Sequence, residues 1–222
     1  MRLVTPLQMR EIEAQTNLCG ISYDEMMERA GRGLSQHILK FARQRGFQNV
    51  LFLCGNGNNA GDCFVAARHL KGLLSIKIAL LCGQPKTDLA TEKLNSLTDI
   101  PILSDQNEII TAVQNAAFLA DGVFGIGFHG TLPEPVRHVF QAAAHKPCIA
   151  VDIPSGGNGE TGEMDEDTLD CVYTVTFGAG KLGAHRSPLS KRCGETICVD
   201  IGTPPASITA KPMLLWASVP LT

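Results

Sequence analysis

Two carboxylates, Asp121 and Asp152, end short apolar runs that are typical of buried strands. Asp121 is followed by a glycine-rich segment, and Asp152 is followed by a Pro-Ser-Gly turn that carries the hydroxyl group of Ser155. Because open α/β sheets bind ligands at the carboxyl ends of their strands, we expect both carboxylates at one edge, where they can bind a ligand or transfer a proton. Either residue alone is more often a cap or a loop anchor, so the shared location is what favours a site.

A segment rich in glycine and asparagine, residues 54–62, joins a strand-like run to a helical one. Backbone N–H groups and the helix dipole at such a junction bind phosphate. Its glycine spacing differs from the GxGxxG fingerprint, and the next predicted strand ends without an acidic residue for a ribose, which disfavours a nicotinamide dehydrogenase. The alternative is a tight turn that needs glycine and asparagine. The amides of Asn58 and Asn59 and the carboxylate of Asp62, which also suits a helix cap, favour a binding site.

Lys181 lies in a glycine-rich turn, residues 178–183, directly after a strand-like run. The pattern matches a P-loop only in part, because Leu182 stands where that motif needs serine or threonine. We therefore reject a Walker-type nucleoside triphosphatase. The six histidines are scattered along the chain, and none combines with a serine into a catalytic triad.

The elements that must position these residues alternate between helical and strand-like patterns, which predicts a Rossmann-like three-layer α/β sandwich with a mostly parallel central sheet. Two helices come first, one from about Thr5 and one from Ser22 towards Arg45. The predicted strands are 49–54, 76–81, 118–121, 148–153, 172–177 and 196–201. The other predicted helices are near 64–70, 88–97, 107–114 and 133–145.

Composition and charge exclude several classes of protein. The 222 residues include 22 acidic and 19 basic side chains, a net charge of −3, which disfavours nucleic acid as a partner. No segment reaches the ~18 apolar residues of a membrane span, and no signal peptide is expected. Without CxxC pairs or zinc spacing, we expect reduced thiols and a cytoplasmic location. The cysteines expected to be buried in strands are Cys54, Cys82, Cys148, Cys171 and Cys198.

Four motifs together resemble one known family, the NAD(P)H-hydrate epimerases. They occur in the order seen in that family, over about 200 residues. The motifs are 58–62 with 65–70, 121–127, 151–156 and 177–183. The segments 8–13 and 26–31 are also similar to that family.

The resemblance implies an isomerase that interconverts the R and S epimers of hydrated NADH and NADPH, called NADHX and NADPHX, so that a dehydratase can act on the S form. It implies substrate contacts by Asn58, Asn59, Ala60, Gly61, Asp62, Gly125, Ile126, Gly127, Phe128 and Asp152. It also implies one potassium ion (K+) per subunit, held by oxygen atoms of Asn59, Asp121 and Ser155, which suit a hard cation. We predict Asp152 as the acid–base residue, with Lys181 orienting it or supporting its charge.

Four positions depart from the family pattern. Ala60 and Gly180 stand where glycine and proline are usual, Gly122 replaces a more common alanine, and Gly157 replaces a larger apolar residue. None of these changes removes a polar group from the predicted site. We expect the methyl group of Ala60 to approach the bound phosphate and to weaken its binding.

We divide the chain into an epimerase domain, residues 1–202, and a proline-rich tail or truncated interdomain linker, residues 203–222. The resemblance implies a functional partnership with an NAD(P)HX dehydratase, fused in many bacteria, and a homodimer, with no membrane or nucleic-acid partner. The alternatives are a nucleotide-binding enzyme of another class and a non-catalytic nucleotide- or protein-binding module on the same fold. Such a module is expected to lose Asn59, Asp121 or Asp152, and this chain retains all three.

Overall fold

The computed structural model describes residues 1–204, in which helices cover both faces of a seven-stranded sheet. The strands are β1 (Leu3–Val4), β2 (Asn49–Cys54), β3 (Ser75–Leu80), β4 (Ile102–Leu103), β5 (Phe118–Gly122), β6 (Cys148–Val151), β7 (Tyr173–Phe177), β8 (Gly180–Lys181) and β9 (Glu195–Val199). The α-helices are α1 (Pro6–Leu18), α2 (Tyr23–Arg45), α3 (Asn58–Leu70), α4 (Asp88–Asn95), α5 (Gln106–Asn115) and α6 (Glu134–Ala143). Among the described helices, none is long and apolar enough to cross a membrane.

The strand order creates a crevice at the carboxyl edge of the sheet. The order is β4-β3-β2-β5-β6-β7-β9, and all neighbouring strands are parallel. From β2 the chain extends the sheet on one side through β3 and β4, and it then returns to build the other side from β5 onwards. The crevice of such a sheet lies at this switch point, outside the carboxyl ends of β2 and β5. Asp121 pairs in register with Leu53 of β2 and Ala150 of β6, which places it near the carboxyl ends of these strands, where its side chain is fully buried.

Alternating side chains of the central strands enter two separate apolar layers. In β2, Val50 and Phe52 face the layer under α2 and α3, whereas Leu51 and Leu53 face the layer under α5 and α6. All four side chains are almost completely buried. Strands buried on both faces are typical of parallel sheets, and burial of such side chains contributes roughly 1.5–3 kcal/mol each. The sheet is therefore a rigid base for the residues at its edge.

The first helix is anchored beside the strand that carries Lys181. The hydroxyl group of Thr5 accepts a hydrogen bond from the Gln8 N–H (3.2 Å), and the Gln8 side chain accepts one from the Thr5 N–H (2.9 Å). This capping box starts α1 directly after β1. Because β1 pairs with β8, with Val4 opposite Lys181, α1 lies next to the carboxyl edge of the main sheet.

The predicted α/β class with a parallel sheet is confirmed, and the predicted helices and strands are present with shifted ends. The largest shift is at α3, which begins at Asn58 after an N-cap at Gly57, so residues 58–62 are helical rather than a loop. The strands β1, β4 and β8 are missing from the prediction because two residues carry no periodic pattern. Cys198 is exposed on the edge strand β9, contrary to expectation. Of the predicted tail, residues 205–222 lie outside the described residues.

Candidate active site

A cavity of about 710 Å³ occupies the crevice at the carboxyl edge of the sheet. Its wall is formed by α1, the start of α3, the segment after β5 and the end of β6. The lining residues used below are Arg10, Glu13, Asn56, Asn58, Asn59, Asp62, Gly125, Ile126, Gly127, Phe128 and Asp152. This volume is in the range of small-molecule sites, which measure roughly 300–1,000 Å³.

The amino end of α3 opens into the cavity. Its N-cap is Gly57, and no side chain caps the first turn, so the N–H groups there are available to an anion. The approach to the helix is fixed from the neighbouring loop, because the Asn56 amide donates to the Cys82 carbonyl (3.1 Å) and the Lys86 N–H donates to the Asn56 carbonyl (2.8 Å). The Thr87 hydroxyl donates to Asn58 Oδ1 (2.6 Å). The end of the helix is therefore a preorganised site for a phosphate group.

Two residues expected to contact substrate, Ala60 and Gly61, lie on the buried side of α3. The methyl group of Ala60 is part of the apolar core, with no exposed surface. A Cβ added at Gly61 would lie 2.6 Å from the Met27 side chain, so this glycine allows α3 to pack closely against α2. Neither residue lines the cavity. The expected approach of the Ala60 methyl group to a phosphate is therefore corrected, because that methyl group packs into the core.

Of the predicted potassium ligands, Asp121 and Ser155 are fully buried and bind each other, and Asn59 lines the cavity. Ser155 binds the fully buried Asp121 twice, through its hydroxyl (2.6 Å) and its N–H (2.8 Å), and its Oγ accepts from the Phe124 N–H (2.8 Å). The Asn59 amide nitrogen donates to the Val151 carbonyl (3.1 Å), which leaves the amide oxygen for another partner. Burial raises the pKa of Asp121 to about 6, although hydrogen bonds from Ser155 and Val123 oppose the shift. A bound cation would compensate this buried charge, so the residues fit the ion.

The ligands that transition metals favour are not assembled in residues 1–204: no group of three His, Cys, Asp or Glu side chains is placed to hold a metal. The groups predicted to hold a cation are instead one carboxylate, one hydroxyl and one amide oxygen, from Asp121, Ser155 and Asn59. Hard cations select such oxygen ligands.

Asp152 is held from behind by a buried lysine. Its Oδ1 accepts hydrogen bonds from Lys181 Nζ, the Thr176 hydroxyl (3.0 Å) and the Phe177 N–H (3.3 Å), which leaves Oδ2 for the cavity. Lys181 Nζ also donates to Thr176 Oγ1 (3.0 Å) and to the Phe177 carbonyl (2.9 Å). Lys181 is 2% exposed and does not line the cavity, so it positions Asp152 rather than touching a ligand.

The backbone at Asp152 is strained. Its φ of 70° is in the left-handed region, where a residue other than glycine is uncommon, and a short turn joins the Ile153 N–H to the Val151 carbonyl (2.9 Å). Strain of this kind is typical of functional sites, where the surrounding structure enforces it. Here the lysine pair and the turn together fix the direction of the carboxylate.

The glycine-rich segment after β5 forms part of the cavity wall. Gly125, Ile126, Gly127 and Phe128 all line the cavity. The segment turns back on itself through a hydrogen bond from the Phe128 N–H to the Gly125 carbonyl (3.1 Å), and the rings of Phe124 and Phe128 pack with centroids 4.9 Å apart. This wall therefore combines open backbone with an aromatic surface.

Sequence patterns at the strand ends do not identify Arg10 and Glu13, which reach the cavity from α1. Burial, and next the charge of Asp152, raise the pKa of Glu13, while Lys181 and Arg10 oppose the shift. Burial raises the pKa of Asp62 well above its ordinary value, and the charges of Asp152 and Glu13 add to the effect. The signal that points to α1 is the segment 8–13, which contains both residues and resembles the epimerase family.

Comparisons with known proteins agree with this geometry. A family model described as "YjeF-related protein N-terminus" matches residues 23–183. An NAD(P)H-hydrate epimerase of Rhodopirellula baltica is 35% identical over 188 residues, covering 81% of this chain and 75% of that protein. An NAD(P)H-hydrate epimerase of Leuconostoc citreum is 32% identical over 212 residues, covering 91% of each chain.

Two further comparisons concern the domain architecture and the fold. A bifunctional NAD(P)H-hydrate repair enzyme, Nnr, of Archaeoglobus fulgidus is 33% identical over 92% of this chain, which spans 42% of that protein's length. The chain thus covers about two fifths of such bifunctional relatives. The crystal structure of yeast ynu0, YNL200c, has the same fold, with a TM-score of 0.76 and 21% identity over 89% of this chain and 87% of that one.

Proposed function

The chain belongs to the family described as YjeF-related protein N-terminus, and we propose that it is an NAD(P)H-hydrate epimerase. In this proposal it interconverts the R and S forms of NADHX and NADPHX in nicotinamide-nucleotide repair. The observation that carries the proposal is one cavity that joins the open amino end of α3 to the carboxylate of Asp152. The first feature suits the phosphates of a dinucleotide and the second suits proton transfer at its hydrated ring.

The reaction needs a group that exchanges a proton with the oxygen on the hydrated carbon. Asp152 is placed for this step, because Oδ2 faces the cavity while Oδ1 is held by Lys181, Thr176 and the Phe177 N–H. Protonation of the hydroxyl group lets it leave as water, assisted by the electron pair of the adjacent ring nitrogen. Water then returns to the other face of the ring and gives up a proton. No hydride moves in this sequence.

Substrate binding is assigned to the walls described above. The N–H groups of Asn58 and Asn59 would bind a phosphate, and Arg10 is placed beside Gly127 to neutralise a second charge: a Cβ at that glycine would lie 3.6 Å from Arg10 Nη2. The segment from Gly125 to Phe128 would cover the dinucleotide.

A potassium ion, if bound, would be held by oxygen atoms of Asn59, Asp121 and Ser155 and would supply the positive charge that this buried cluster lacks. Asp121 accepts from the Val123 N–H (3.3 Å) and Ser155 from the Phe124 N–H (2.8 Å), so the two side chains order the segment that follows β5. The ion's contribution would be to hold this wall in place and not to perform redox chemistry.

We also propose a domain division, a partner, an oligomeric state and a location for the enzyme. Residues 1–202 would act as the epimerase domain, and 203–222 as a tail or interdomain linker. The functional partner would be an NAD(P)HX dehydratase. The protein would form a homodimer and would be located in the cytoplasm. A non-catalytic module is disfavoured, because the chain keeps Asn59, Asp121 and Asp152, of which Asn59 and Asp152 line the cavity.

The test is the rate of exchange between the R and S forms of NADPHX, followed by NMR with purified protein against the spontaneous background. We expect acceleration by the wild type and a loss of about 10²- to 10⁴-fold in Asp152→Asn, with nucleotide affinity largely kept. Asp99→Asn is the matched control, since Asp99 also has a positive φ (59°) but is exposed and pairs with Lys71. Wild-type protein that leaves the exchange rate at its background value would refute the proposed function.

The same assay tests the ion. Exchange is measured in potassium buffer and in buffer with a bulky organic cation, and we expect a lower rate and a lower melting temperature in the second. Equal values in both buffers would remove potassium from the proposal while leaving the epimerase assignment in place.

A further inference from the structure

A second acidic side chain, on a different element from Asp152, faces the same cavity. We infer that Asp62 is a catalytic carboxyl group that works with Asp152, one exchanging a proton with the departing hydroxyl group and the other with the returning water. The inference rests on the proposed epimerase function. It divides between two residues the proton transfers that a single carboxylate would otherwise perform at both faces of the ring.

The two carboxyl groups have different surroundings. Asp62 is in α3, one turn after Asn58, and lines the cavity. Within the part of the chain that the structure describes, no hydrogen bond from the protein holds its carboxyl group, which is therefore available to a ligand in the cavity. Asp152 lies at the end of β6 and is tied to Lys181 Nζ. One acid is therefore fixed beside a cation, and the other has no such partner.

This difference suits the two carboxyl groups to different roles. Lys181 Nζ lies against Asp152 Oδ1, and a carboxylate held beside a cation suits a proton acceptor. Burial raises the pKa of Asp62 well above its ordinary value, and the negative charges of Asp152 and Glu13 add to the shift. This shift favours the neutral form of Asp62, which suits a proton donor. Two carboxyl groups whose surroundings separate their protonation states are the usual arrangement for acid–base pairs.

Several other charged or titratable groups lie near Asp62 or elsewhere on α3. From α1 come Glu13 and Arg10, and from β8 comes Lys181, whose charge lowers the pKa of Asp62. The thiol of Cys63, next in α3, is itself held neutral by burial. The helices α2 and α4 contribute a separate group of ion pairs at the other end of α3, formed by Asp24, Glu28, Arg68 and Lys93.

In the proposed reaction, the proton given by Asp62 leaves with water, and the proton of the returning water goes to Asp152. The carboxylic acid of Asp62 gives its proton to the hydroxyl group, the bond between that oxygen and the hydrated carbon breaks, and water leaves. The lone pair of the ring nitrogen forms a double bond to the carbon. A water molecule adds from the other face, the double-bond pair returns to nitrogen, and Asp152 accepts the proton of the water. Solvent exchange then returns a proton to Asp62 and removes one from Asp152, and the reverse reaction uses the same groups with exchanged roles.

The experiment is the pH profile of kcat/KM for epimerisation. The wild-type rate should fall on the basic side of the profile, because ionisation of Asp62 removes the proton donor. Asp62→Asn should lower the rate by about 10²- to 10⁴-fold and abolish this basic limb, whereas Asp152→Asn should lower the rate and keep the basic limb. Nucleotide affinity, measured by calorimetry, should change little in both. Asp62→Glu should restore part of the rate and the basic limb.

Several results would overturn the inference. A wild-type profile without a basic limb refutes it and needs no variant, so a variant that fails to fold leaves the test intact. An Asp62→Asn protein with the wild-type rate also refutes it, as does loss of the basic limb in Glu13→Gln rather than in Asp62→Asn. These outcomes require an active wild type, so they are distinguishable from failure of the proposed function, in which the wild type itself does not accelerate exchange.

Discussion

The sulfur atom of Cys63 in α3 occupies the space that a Cβ at Gly122 would need at the end of β5. The Asn59 carbonyl oxygen lies 3.3 Å from the same Cβ position. Gly122 stands where alanine is more common in the family that the sequence resembles, and the thiol fills the missing volume. A side chain on the helix thus replaces a methyl group on the strand, directly under the predicted cation ligands.

Gly122→Ala should therefore destabilise the protein by about 1–3 kcal/mol, because the added methyl group overpacks the contact between α3 and β5. Urea unfolding monitored by circular dichroism measures this loss. In the background of Cys63→Ala, the methyl group takes the place of the sulfur, so the loss should shrink. Strictly additive losses in the double mutant would show that the two positions do not share this space.

The other departures from the family pattern also have local explanations. A Cβ at Gly157 would lie 2.6 Å from the methyl groups of Leu189, whose side chain fills the space of a larger residue at 157. The N–H of Gly180 donates to the Arg2 carbonyl (2.8 Å), a bond that proline cannot make. Each change is therefore compensated by a neighbouring element, and none of them alters the polar groups of the cavity.

Lys181→Met should destabilise the protein strongly, because it leaves Asp152 buried without its cation. Loss of one partner from a buried ion pair typically costs about 3–5 kcal/mol, whereas loss of an exposed pair costs about 1 kcal/mol or less. Lys71→Met is the control, since Lys71 pairs with Asp99 at the surface (2.9 Å). Urea midpoints at pH 7 measure both. A similar small loss in the two variants would contradict the positioning role of Lys181.

The sequence predicts the strand ends better than it predicts their surroundings. Asp121, Asp152 and the segment 125–128 follow apolar strands, and a parallel sheet has to bring such positions to one edge. Arg10 and Glu13 reach the cavity because β1 pairs with β8, about 180 residues further along the chain. Strands of two residues have no sequence pattern from which this pairing could be predicted. The buried orientation of Ala60 likewise depends on where α3 begins, which Gly57 decides without a side-chain cap.

The pH dependence of the free energy of unfolding tests the raised pKa of Asp62 independently of the kinetics. Its pKa is raised in the folded protein above the ordinary value of 3.8. At a pH between 3.8 and the raised pKa, the folded state therefore holds a proton that the unfolded state has released. Stability therefore falls as the pH rises above 4, by up to about 1.4 kcal/mol per pH unit from this group. Asp62→Asn should flatten that slope. Urea midpoints at pH 5 and pH 7.5 measure it, and parallel declines in the wild type and Asp62→Asn would contradict the shift.

The last prediction concerns Thr87, which links α4 to the amino end of α3, where we propose that a phosphate binds. Its hydroxyl accepts the Ala90 N–H (3.3 Å) as the N-cap of α4 and donates to Asn58 Oδ1 (2.6 Å). Thr87→Val should lose about 1 kcal/mol of stability with the cap, and should weaken nucleotide binding about threefold to tenfold because Asn58 loses its orientation. Ser22→Ala, which removes the N-cap of α2 away from the cavity, is the matched control. It should show a similar loss of stability with unchanged affinity by calorimetry; equal affinity in both variants would mean that the bond between Thr87 and Asn58 does not serve the ligand.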